Sequence, residues 1–294
     1  MRSPGKVAYV FHKSLTEPIP RLHGLDQIRA MARGRRFVVL SFEPRRRSRQ
    51  PAERRLYDET LAWLTAAGVE HVSLPLLDNR WLEIPMGAVA ILFLVLFRGV
   101  RTIHCRSYIP ALMGLLVRTV TATRLLFDMR GLFVDEYLLE GAFVEGTVRL
   151  AFARWLERRV LFSSDSVVVV SESFRNHLLV RPDLAGGLQP EQIRVIPNRV
   201  ELERFAFDSD YRRRARDDRG WSESIVGVFV GSTSSWHRLD RTMSIMAAVM
   251  SELDDVRFVA AVYPTTKYAE RIASETGLPP ARVEFVTADV AEVP

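Results

Sequence analysis

The sequence predicts an α/β protein of two doubly wound parallel-sheet domains, the second of them incomplete. Short apolar runs alternate with helical patterns along most of the chain, and 294 residues exceed what one ordinary hydrophobic core holds. The alternation stops at a charged segment and restarts beyond it. We therefore divide the chain into a first domain at residues 1–198, a hinge and linker at 199–222, and a second domain at 223–294.

The first domain contains seven strand-like segments separated by helical patterns. Strands are predicted at residues 7–11, 37–40, 69–74, 102–105, 124–128, 166–170 and 193–196. Helices are predicted at residues 25–32, 57–67, 84–97, 109–120, 147–162 and 172–179, with a glycine-punctuated loop at 131–146. Because right-handed crossovers place such strands in one sheet, the pattern predicts a parallel sheet of about seven strands with helices on both faces.

The hinge is predicted in the sequence IRVIPNRVELERF, where Pro197 and Asn198 end the last strand. The polar segment DSDYRRRARDDR that follows is typical of a linker. Beyond it, strands at 225–230, 256–262 and 283–286 alternate with helices at 239–253 and 267–276. Three strands and two helices leave half of such a sheet uncovered, so we expect an incomplete second domain.

The composition is that of a globular protein, with 48% hydrophobic and 26% charged residues. The single cysteine, Cys105, excludes an internal disulfide framework and indicates a reducing compartment, so we expect a cytoplasmic protein. The sequence has no Cys/His cluster with metal-ligand spacing, so no metal is expected. Its first residues do not resemble a secretory signal.

Positive charge is concentrated near the start of the chain. The net charge is +6, and residues 1–55 hold fourteen Lys/Arg against four Asp/Glu, including the run Arg45, Arg46 and Arg47. Such a segment suits peripheral contact with an anionic membrane or with nucleic acid, or it is an ordinary solvated loop. No basic motif interleaved with aromatic residues supports nucleic acid, which we therefore do not expect as a partner.

The segment IPMGAVAILFLVLF, at residues 84–97, is apolar enough to be a candidate membrane segment. Its length is below the roughly 20 residues that span a bilayer. We interpret it as a buried helix, with an interfacial helix at a membrane surface as the alternative.

Candidate site residues follow the strands, because ligands of open α/β sheets bind beyond the carboxyl ends of the strands. In the second domain the segment from Gly231 to Arg238 combines a glycine, which lets a ligand approach the backbone, with the start of a helix, which offers N–H groups to a phosphate. The serines of this segment could equally form an ordinary helix cap. Neither a G-x-G-x-x-G nor a P-loop pattern occurs in the chain.

In the first domain, Asp128 and Arg130 lie at the end of a predicted strand, where they would give a ligand-binding cleft one negative and one positive charge. They could also form a closed structural ion pair. Ser107 follows the neighbouring strand and could simply cap the next helix. Polar residues at comparable positions are His12, Arg106, Asp135, Glu136, Ser171 and Glu172.

Four segments carry a family resemblance: IHCRSYIPALMG, LLFDMRGLFVDE, ARWLERRVLFSSDSVVVVSESF and IRVIPNRVELERF. Their order and spacing resemble retaining glycosyltransferases of family 4, which have the GT-B architecture of two Rossmann-like domains. VGVFVGSTSSWHRLD resembles the start of that family's donor-binding domain. The resemblance covers nearly the whole chain and is strongest at residues 103–205.

The resemblance implies transfer of a sugar from a nucleotide-diphosphate sugar to a glycan or lipid-linked acceptor, with retention of the anomeric configuration, in surface polysaccharide biosynthesis. It implies no covalent cofactor and no metal, because side chains and helix dipoles stabilise the departing diphosphate. Arg130 and Asp128 become the catalytic candidates. The donor and phosphate-binding candidates are Gly231, Ser232, Thr233, His237, Arg238 and Asn198. The acceptor-side candidates are His12, Arg106, Ser107, Asp135, Glu136, Ser171 and Glu172.

The sequence also departs from the family pattern. Arg130 occupies the place of a histidine in many members, and an arginine there could bind an anion with two parallel hydrogen bonds. Ser232 and His237 stand where an arginine and a lysine often face the diphosphate, and Arg199 replaces the usual glycine. Glutamates with the family's spacing occur at Glu284 and Glu292, outside the expected helix context, so we expect the true acidic pair beyond residue 294.

Two functions remain open from these residues. The first is a glycosyltransferase at the cytoplasmic face of a membrane, and the second is a truncated, catalytically inactive binding module of the same ancestry. For the 294-residue chain we expect weak donor binding and little transfer.

Overall fold

The computed structural model describes residues 5–17, 24–32, 34–44, 51–77, 79–198, 202–203, 206–234, 237–263 and 265–287. The basic run at residues 45–47, Arg199 and Glu292 lie outside these ranges. The chain divides into two compact units, Met1–Arg199 and Val200–Pro294. Each unit has its own parallel sheet and its own hydrophobic core.

The first unit is built on a seven-stranded parallel sheet, which confirms the prediction from the alternating pattern. Its strands are β1 (Lys6–Val10), β2 (Phe37–Glu43), β3 (Glu70–Pro75), β4 (Val100–Arg106), β5 (Arg124–Asp128), β6 (Ser166–Val169) and β7 (Ile193–Val195). They lie in the order β3-β2-β1-β4-β5-β6-β7. The strand order therefore changes direction between β1 and β4, where doubly wound folds bind their ligands.

Helices cover both faces of this sheet. They are α1 (Asp26–Ala32), α2 (Pro51–Ala66), α3 (Arg80–Phe97), α4 (Tyr108–Val120), α5 (Phe133–Leu139), α6 (Val148–Ser163) and α7 (Glu172–Val180). Successive residues of β1 point to opposite faces. Ala8 and Val10 join the core formed with α3, α4, α6 and α7, whereas Val7 and Tyr9 join the core formed with α1 and α2.

The second unit has a smaller parallel sheet with the order β10-β9-β8. Its elements are α8 (Ser209–Asp217), β8 (Ile225–Ser232), α9 (Leu239–Glu252), β9 (Val256–Tyr263), α10 (Lys267–Thr276) and β10 (Val283–Thr287). One face of the sheet packs against α9 and α10 through Phe258, Ala260 and Val262. On the other face, Val228 is 62% exposed and Val230 is 58% exposed.

Two segments predicted to be irregular contain helices. The predicted loop at residues 131–146 contains α5, because Phe133, Val134 and Tyr137 pack in a small core with Phe143 and Leu150. Tertiary packing of this kind forms short helices that periodicity does not reveal. The predicted linker at residues 199–222 contains α8, which is capped by Asp208. Its highly charged sequence shows no apolar periodicity that would predict a helix.

Strand β2 extends past its predicted end at residue 40, because buried polar residues continue it. Ser41 Oγ donates a hydrogen bond to Glu43 Oε1 at 2.5 Å, and Ser14 Oγ donates to Glu43 Oε2 at 2.5 Å. A buried carboxylate is tolerated when its oxygens are hydrogen-bonded in this way.

Helix α3 shows that the interpretation of the apolar segment as a buried helix holds for one side of the helix only. Gly87, Ala88, Ile91 and Leu94 face inward, but its 18-residue apolar stretch is 22% buried. By length and composition α3 could cross a membrane, and in the fold it packs on the sheet beside α4. Hydropathy could not predict its exposure, because the helix is apolar on its outward side as well.

Candidate functional site

The candidate site lies at the carboxyl edge of the first sheet, around the change in strand order. His12 follows β1, Arg106 ends β4 and Asp128 ends β5. Since β1 pairs with β4 and β4 pairs with β5, these residues share one edge. The sequence prediction placed all three here from the strand ends alone.

Asp128 is the centre of a buried charge cluster. Its side chain is 1% exposed, and its Oδ1 lies 3.0 Å from Arg130 Nε. Its Oδ2 lies 3.5 Å from both Arg106 Nη1 and His104 Nε2. Burial alone would raise the pKa of Asp128, but His104 and the two arginines outweigh burial and lower it. The carboxylate therefore stays charged beside two guanidinium groups.

The cluster retains unused hydrogen-bonding capacity. Among the described residues, the buried Nη2 of Arg130 has no hydrogen-bond partner. Buried polar atoms are normally satisfied, so such an atom beside a strand edge indicates a place where a ligand can bind. The Tyr9 ring packs 4.2 Å from the His104 ring, and burial, followed by the nearby Asp128, raises the pKa of Tyr9 to about 12.

Arg130 also contacts the end of the first unit. Its Nη1 donates a hydrogen bond to Asn198 Oδ1 at 2.8 Å. Arg130 follows β5 and Asn198 follows β7, so this bond reaches across the end of β6. A catalytic candidate and a donor-side candidate of the sequence prediction are thus in direct contact.

Ser107 has a backbone conformation that a serine rarely adopts. Its φ is 74° and its ψ is 179°, a region occupied almost exclusively by glycine. Its N–H donates to Asp128 O at 2.9 Å, but its side chain makes no capping hydrogen bond to α4. The alternative role of an ordinary side-chain cap is therefore not realised, and backbone strain lies next to the charge cluster.

Glu83 is a site residue that sequence reasoning missed. His12 Nε2 lies 2.7 Å from Glu83 Oε2, and Leu77 N donates to Glu83 Oε1 at 2.7 Å. Burial lowers the pKa of His12, although the contact with Glu83 acts in the opposite direction. The available signal in the sequence was an acidic residue directly before the apolar segment at residues 84–97, in the first turn of α3.

Asp135 and Glu136 lie on α5 and serve contacts within the first unit. Asp135 pairs with Arg154, and Glu136 Oε1 accepts the N–H of Leu132 at 3.0 Å. Burial raises the pKa of Glu136. Both carboxylates thus have structural partners.

Ser171 and Glu172 lie at the start of α7. Ser171 Oγ accepts the N–H of Phe174 at 3.1 Å, which is an ordinary helix cap. Glu172 is exposed and lies 3.7 Å from Arg175 Nη1, one helical turn away. The structure brings neither residue into the Asp128 cluster.

The donor-side candidates of the second unit lie between β8 and α9. Ser232 N donates to His237 Nδ1 at 3.2 Å, and this approach requires Gly231, because a Cβ there would lie 2.6 Å from Nδ1. Thr233 N donates to Tyr263 O at 3.3 Å. The glycine thus has a definite structural role in shaping this loop.

Arg238 precedes α9 with a left-handed φ of 49° and donates to both oxygens of Asp240. The hydrogen bonds from Arg238 lower the pKa of Asp240 to about 2. An acidic side chain therefore already occupies the start of α9. In the described part of the chain, no group of three His, Cys, Asp or Glu side chains is arranged to hold a metal ion.

Comparison with solved structures identifies the fold. The chain is similar to sucrose-phosphate synthase from Thermosynechococcus elongatus, with 15% identity and a TM-score of 0.65 over 98% of this chain and 71% of that one. It is similar to Anabaena HepE in complex with UDP and glucose, with 14% identity and a TM-score of 0.60 over 97% and 70%. It is also similar to S. aureus MnaA with UDP, with 12% identity and a TM-score of 0.58 over 98% and 70%. These similarities show that the fold is GT-B.

No curated protein matches the sequence. A family model does, and it is described as a glycosyl transferase 4-like domain that matches residues 23–199. That range contains β2 to β7, the Asp128 cluster and Asn198. Since the match spans more than half of the chain, the protein belongs to the glycosyl transferase 4-like family.

Proposed function

We propose that this protein transfers a sugar from a nucleotide-diphosphate sugar to a glycan or lipid-linked acceptor, with retention of the anomeric configuration. Family membership and the GT-B fold support sugar transfer. Similar structures contain UDP, which supports a nucleotide-linked donor. We further propose a role in surface polysaccharide synthesis at the cytoplasmic face of a membrane.

The observation that carries this proposal is the buried cluster of Asp128, Arg106 and Arg130. Two permanent cations held by one carboxylate form a rigid, electropositive group at the strand edge. Arg130 Nη2, which has no hydrogen-bond partner in the described part of the chain, is available to an acceptor hydroxyl or a phosphate oxygen. We assign acceptor binding to this group.

We propose that Gly231, Ser232 and Thr233, together with the first turn of α9, bind the diphosphate of the donor. Backbone N–H groups and a helix N-terminus stabilise the negative charge that develops on a departing diphosphate. Ser232 N donates a hydrogen bond to His237 Nδ1, which leaves Nε2 as the nitrogen of this ring that can donate. We propose that transfer needs no metal ion, so a chelator should leave the rate unchanged.

A binding module without transfer activity is the second candidate. It is favoured by the donor loop, where Ser232 and His237 supply no permanent positive charge and Arg238 is paired with Asp240. Such a loop would hold a diphosphate more weakly than one with two free cations.

Calorimetry with UDP and a panel of nucleotide sugars, followed by an assay of nucleotide release, tests both candidates. Transfer predicts release that depends on an acceptor, and NMR of the product then reports whether the anomeric configuration is retained. Binding without release identifies the module. Absence of binding to every nucleotide sugar contradicts both candidates.

A further inference from the structure

We propose that the outward surface of α3, α4 and α6 docks on an anionic lipid bilayer. We call this surface the apolar helical face. Its exposed apolar residues include Trp81, Val89, Phe93, Leu116, Phe152 and Trp155. The inference rests on the membrane location in the proposed function and names the surface responsible, but it does not depend on sugar transfer, because vesicle binding requires neither donor nor acceptor.

The apolar character of this face is unusual for a surface helix. The residues of α3 that point away from the sheet include Val89, 68% exposed, and Leu96, 62% exposed. An amphipathic helix of a water-soluble domain carries polar residues on that side. Helix α6 repeats the pattern with Phe152 and Trp155, which stack with their ring centroids 5.7 Å apart. Contiguous exposed apolar surface marks a docking site.

The face also contains a trough between the helices. Two neighbouring cavities, of about 310 and 460 Å³, share Trp81, Ile84, Leu112, Phe152 and Leu156 as lining residues. Their walls are mostly apolar, so a lipid acyl chain can enter the trough between the exposed aromatic rings.

Charge identifies the occupant as an anionic surface. The charged residues of the three helices are Arg80, Arg118, Arg149, Arg154, Arg158 and Arg159, together with Glu83 and Glu157. Both glutamates are 1% exposed and are held by His12 and by Tyr108, respectively. Arg118 is paired with Asp165 and Arg154 with Asp135, so the positive charge that these helices present to an incoming surface is carried by Arg80, Arg149, Arg158 and Arg159. Basic residues beside an apolar surface with aromatic rings are typical of interfacial binding to anionic lipid.

A second copy of the chain fits this face less well. A two-fold interface brings the same surface of both copies together. Arginines would then meet arginines, since the acidic side chains of the three helices are buried. Lipid phosphates supply the missing negative charge instead.

The test is sedimentation with vesicles of phosphatidylcholine alone and with vesicles that also contain phosphatidylglycerol, without any nucleotide sugar. We expect binding to the anionic vesicles and its loss at high salt. Val89→Glu combined with Phe93→Glu should weaken binding more than about tenfold, because both charges would enter the apolar layer. Ile245→Glu on α9 is the matched control, since Ile245 is an apolar residue with 63% exposure in the other unit.

Arg159→Gln serves as a milder variant that tests the charge contribution. Its binding to anionic vesicles should fall about fivefold, which corresponds to about 1 kcal/mol for each basic residue near the surface. Circular dichroism melting shows whether each variant is folded. If the variant with Val89→Glu and Phe93→Glu is unfolded, the vesicle binding of Arg159→Gln decides whether the proposal stands.

Three results would overturn the proposal. One is equal binding, or none, to the two kinds of vesicle. Another is binding that survives the substitutions on α3 but is lost when Arg45, Arg46 and Arg47 are replaced by glutamine. The last is a dimer in analytical ultracentrifugation that the α3 substitutions dissociate, with no binding to vesicles. Failure to bind nucleotide sugars would contradict the proposed function and leave this result intact.

Discussion

Nε2 of His12 lies 2.7 Å from Oε2 of Glu83 and joins the end of β1 to the first turn of α3. The Glu83 side chain is 2% exposed, and its second oxygen accepts the N–H of Leu77. The Glu83 carboxylate accepts a hydrogen bond from Nε2 of His12, so in the neutral ring the proton is on Nε2. Nδ1 then carries the lone pair. The pair thus presents a defined tautomer at the strand edge.

Glu83→Gln should lower the pKa of His12 further. Burial already lowers this pKa, and Glu83 is the main influence in the opposite direction. NMR titration of the His12 ring measures the change, with the signal of His177 on α7 as the internal reference. A higher pKa of His12 in the variant would show that Glu83 does not act as a carboxylate partner.

The same pair predicts a pH dependence of stability. Because folding lowers the pKa of His12, the unfolded chain binds more protons than the folded chain between the lowered pKa and the ordinary histidine value of about 6.5. The free energy of unfolding therefore falls as the pH falls through that range. His12→Gln should weaken this slope, which urea unfolding at a series of pH values would measure.

Asp128→Asn should destabilise the first unit by about 3–5 kcal/mol, because Arg106 and Arg130 lose their buried counter-charge. Urea unfolding measures the loss. Asp210→Asn, which removes an exposed ion pair with Arg213, is the control and should cost less than about 1 kcal/mol. The pKa of Asp128 is lowered in the fold, so its contribution to stability is present above its unfolded pKa and disappears on acidification. A cost at Asp128 equal to that of the control would mean that the cluster is solvated.

Ser107→Gly should stabilise the protein by about 1 kcal/mol, because glycine adopts the backbone conformation of residue 107 without strain. Ser107→Ala keeps the strain and serves as the control for loss of the hydroxyl. Thermal unfolding of the two variants separates these effects. If both variants lose stability equally, the hydroxyl matters more than the backbone conformation.

Tyr108→Phe should cost about 1–3 kcal/mol, because the buried Glu157 would lose a hydrogen bond. The Tyr108 hydroxyl donates to Glu157 Oε1 at 2.8 Å, and Arg181 Nη2 donates to the other oxygen at 2.7 Å. Tyr211→Phe, at an exposed position on α8, should change stability very little. Equal effects of the two substitutions in chemical denaturation would argue against a structural role for the Glu157 contact.

Gly231→Ala should weaken UDP binding about tenfold or more if the donor loop has its proposed role. A Cβ at this position would displace the His237 ring, which lies 2.6 Å from it. Gly227→Ala, in the same strand, is the control, because its Cβ would meet the flexible end of Met246 at 3.0 Å. Calorimetry with UDP compares the two variants. Unchanged affinity in Gly231→Ala would place the diphosphate elsewhere.

The parallel sheet could be predicted because its strands are buried on both faces. All residues of β1 and β2 are buried, and residues 7–10 and 37–40 of these strands appear in the sequence as continuous apolar runs. The same rule placed His12, Arg106 and Asp128 at one edge from the strand ends alone. Local pattern and topology were therefore sufficient for the fold and for the location of the candidate site.

The remaining features depend on contacts between distant residues. Glu83 becomes part of the site through His12, which lies 71 positions away. Helix α5 depends on packing against Phe143 and Leu150. The exposure of α3 depends on which other elements pack against it, and the apolar sequence of the helix does not indicate which elements these are.

The central position of β1 has a consequence for how this protein folds during synthesis. Val10 pairs with Cys105, so the middle of the first sheet cannot close until β4 has left the ribosome. Until then β1 and β2 have an open edge, and long-range parallel pairing of this kind is slow. We therefore expect nascent chains that end before β4 to require chaperone protection, which stalled-ribosome pulldowns can detect.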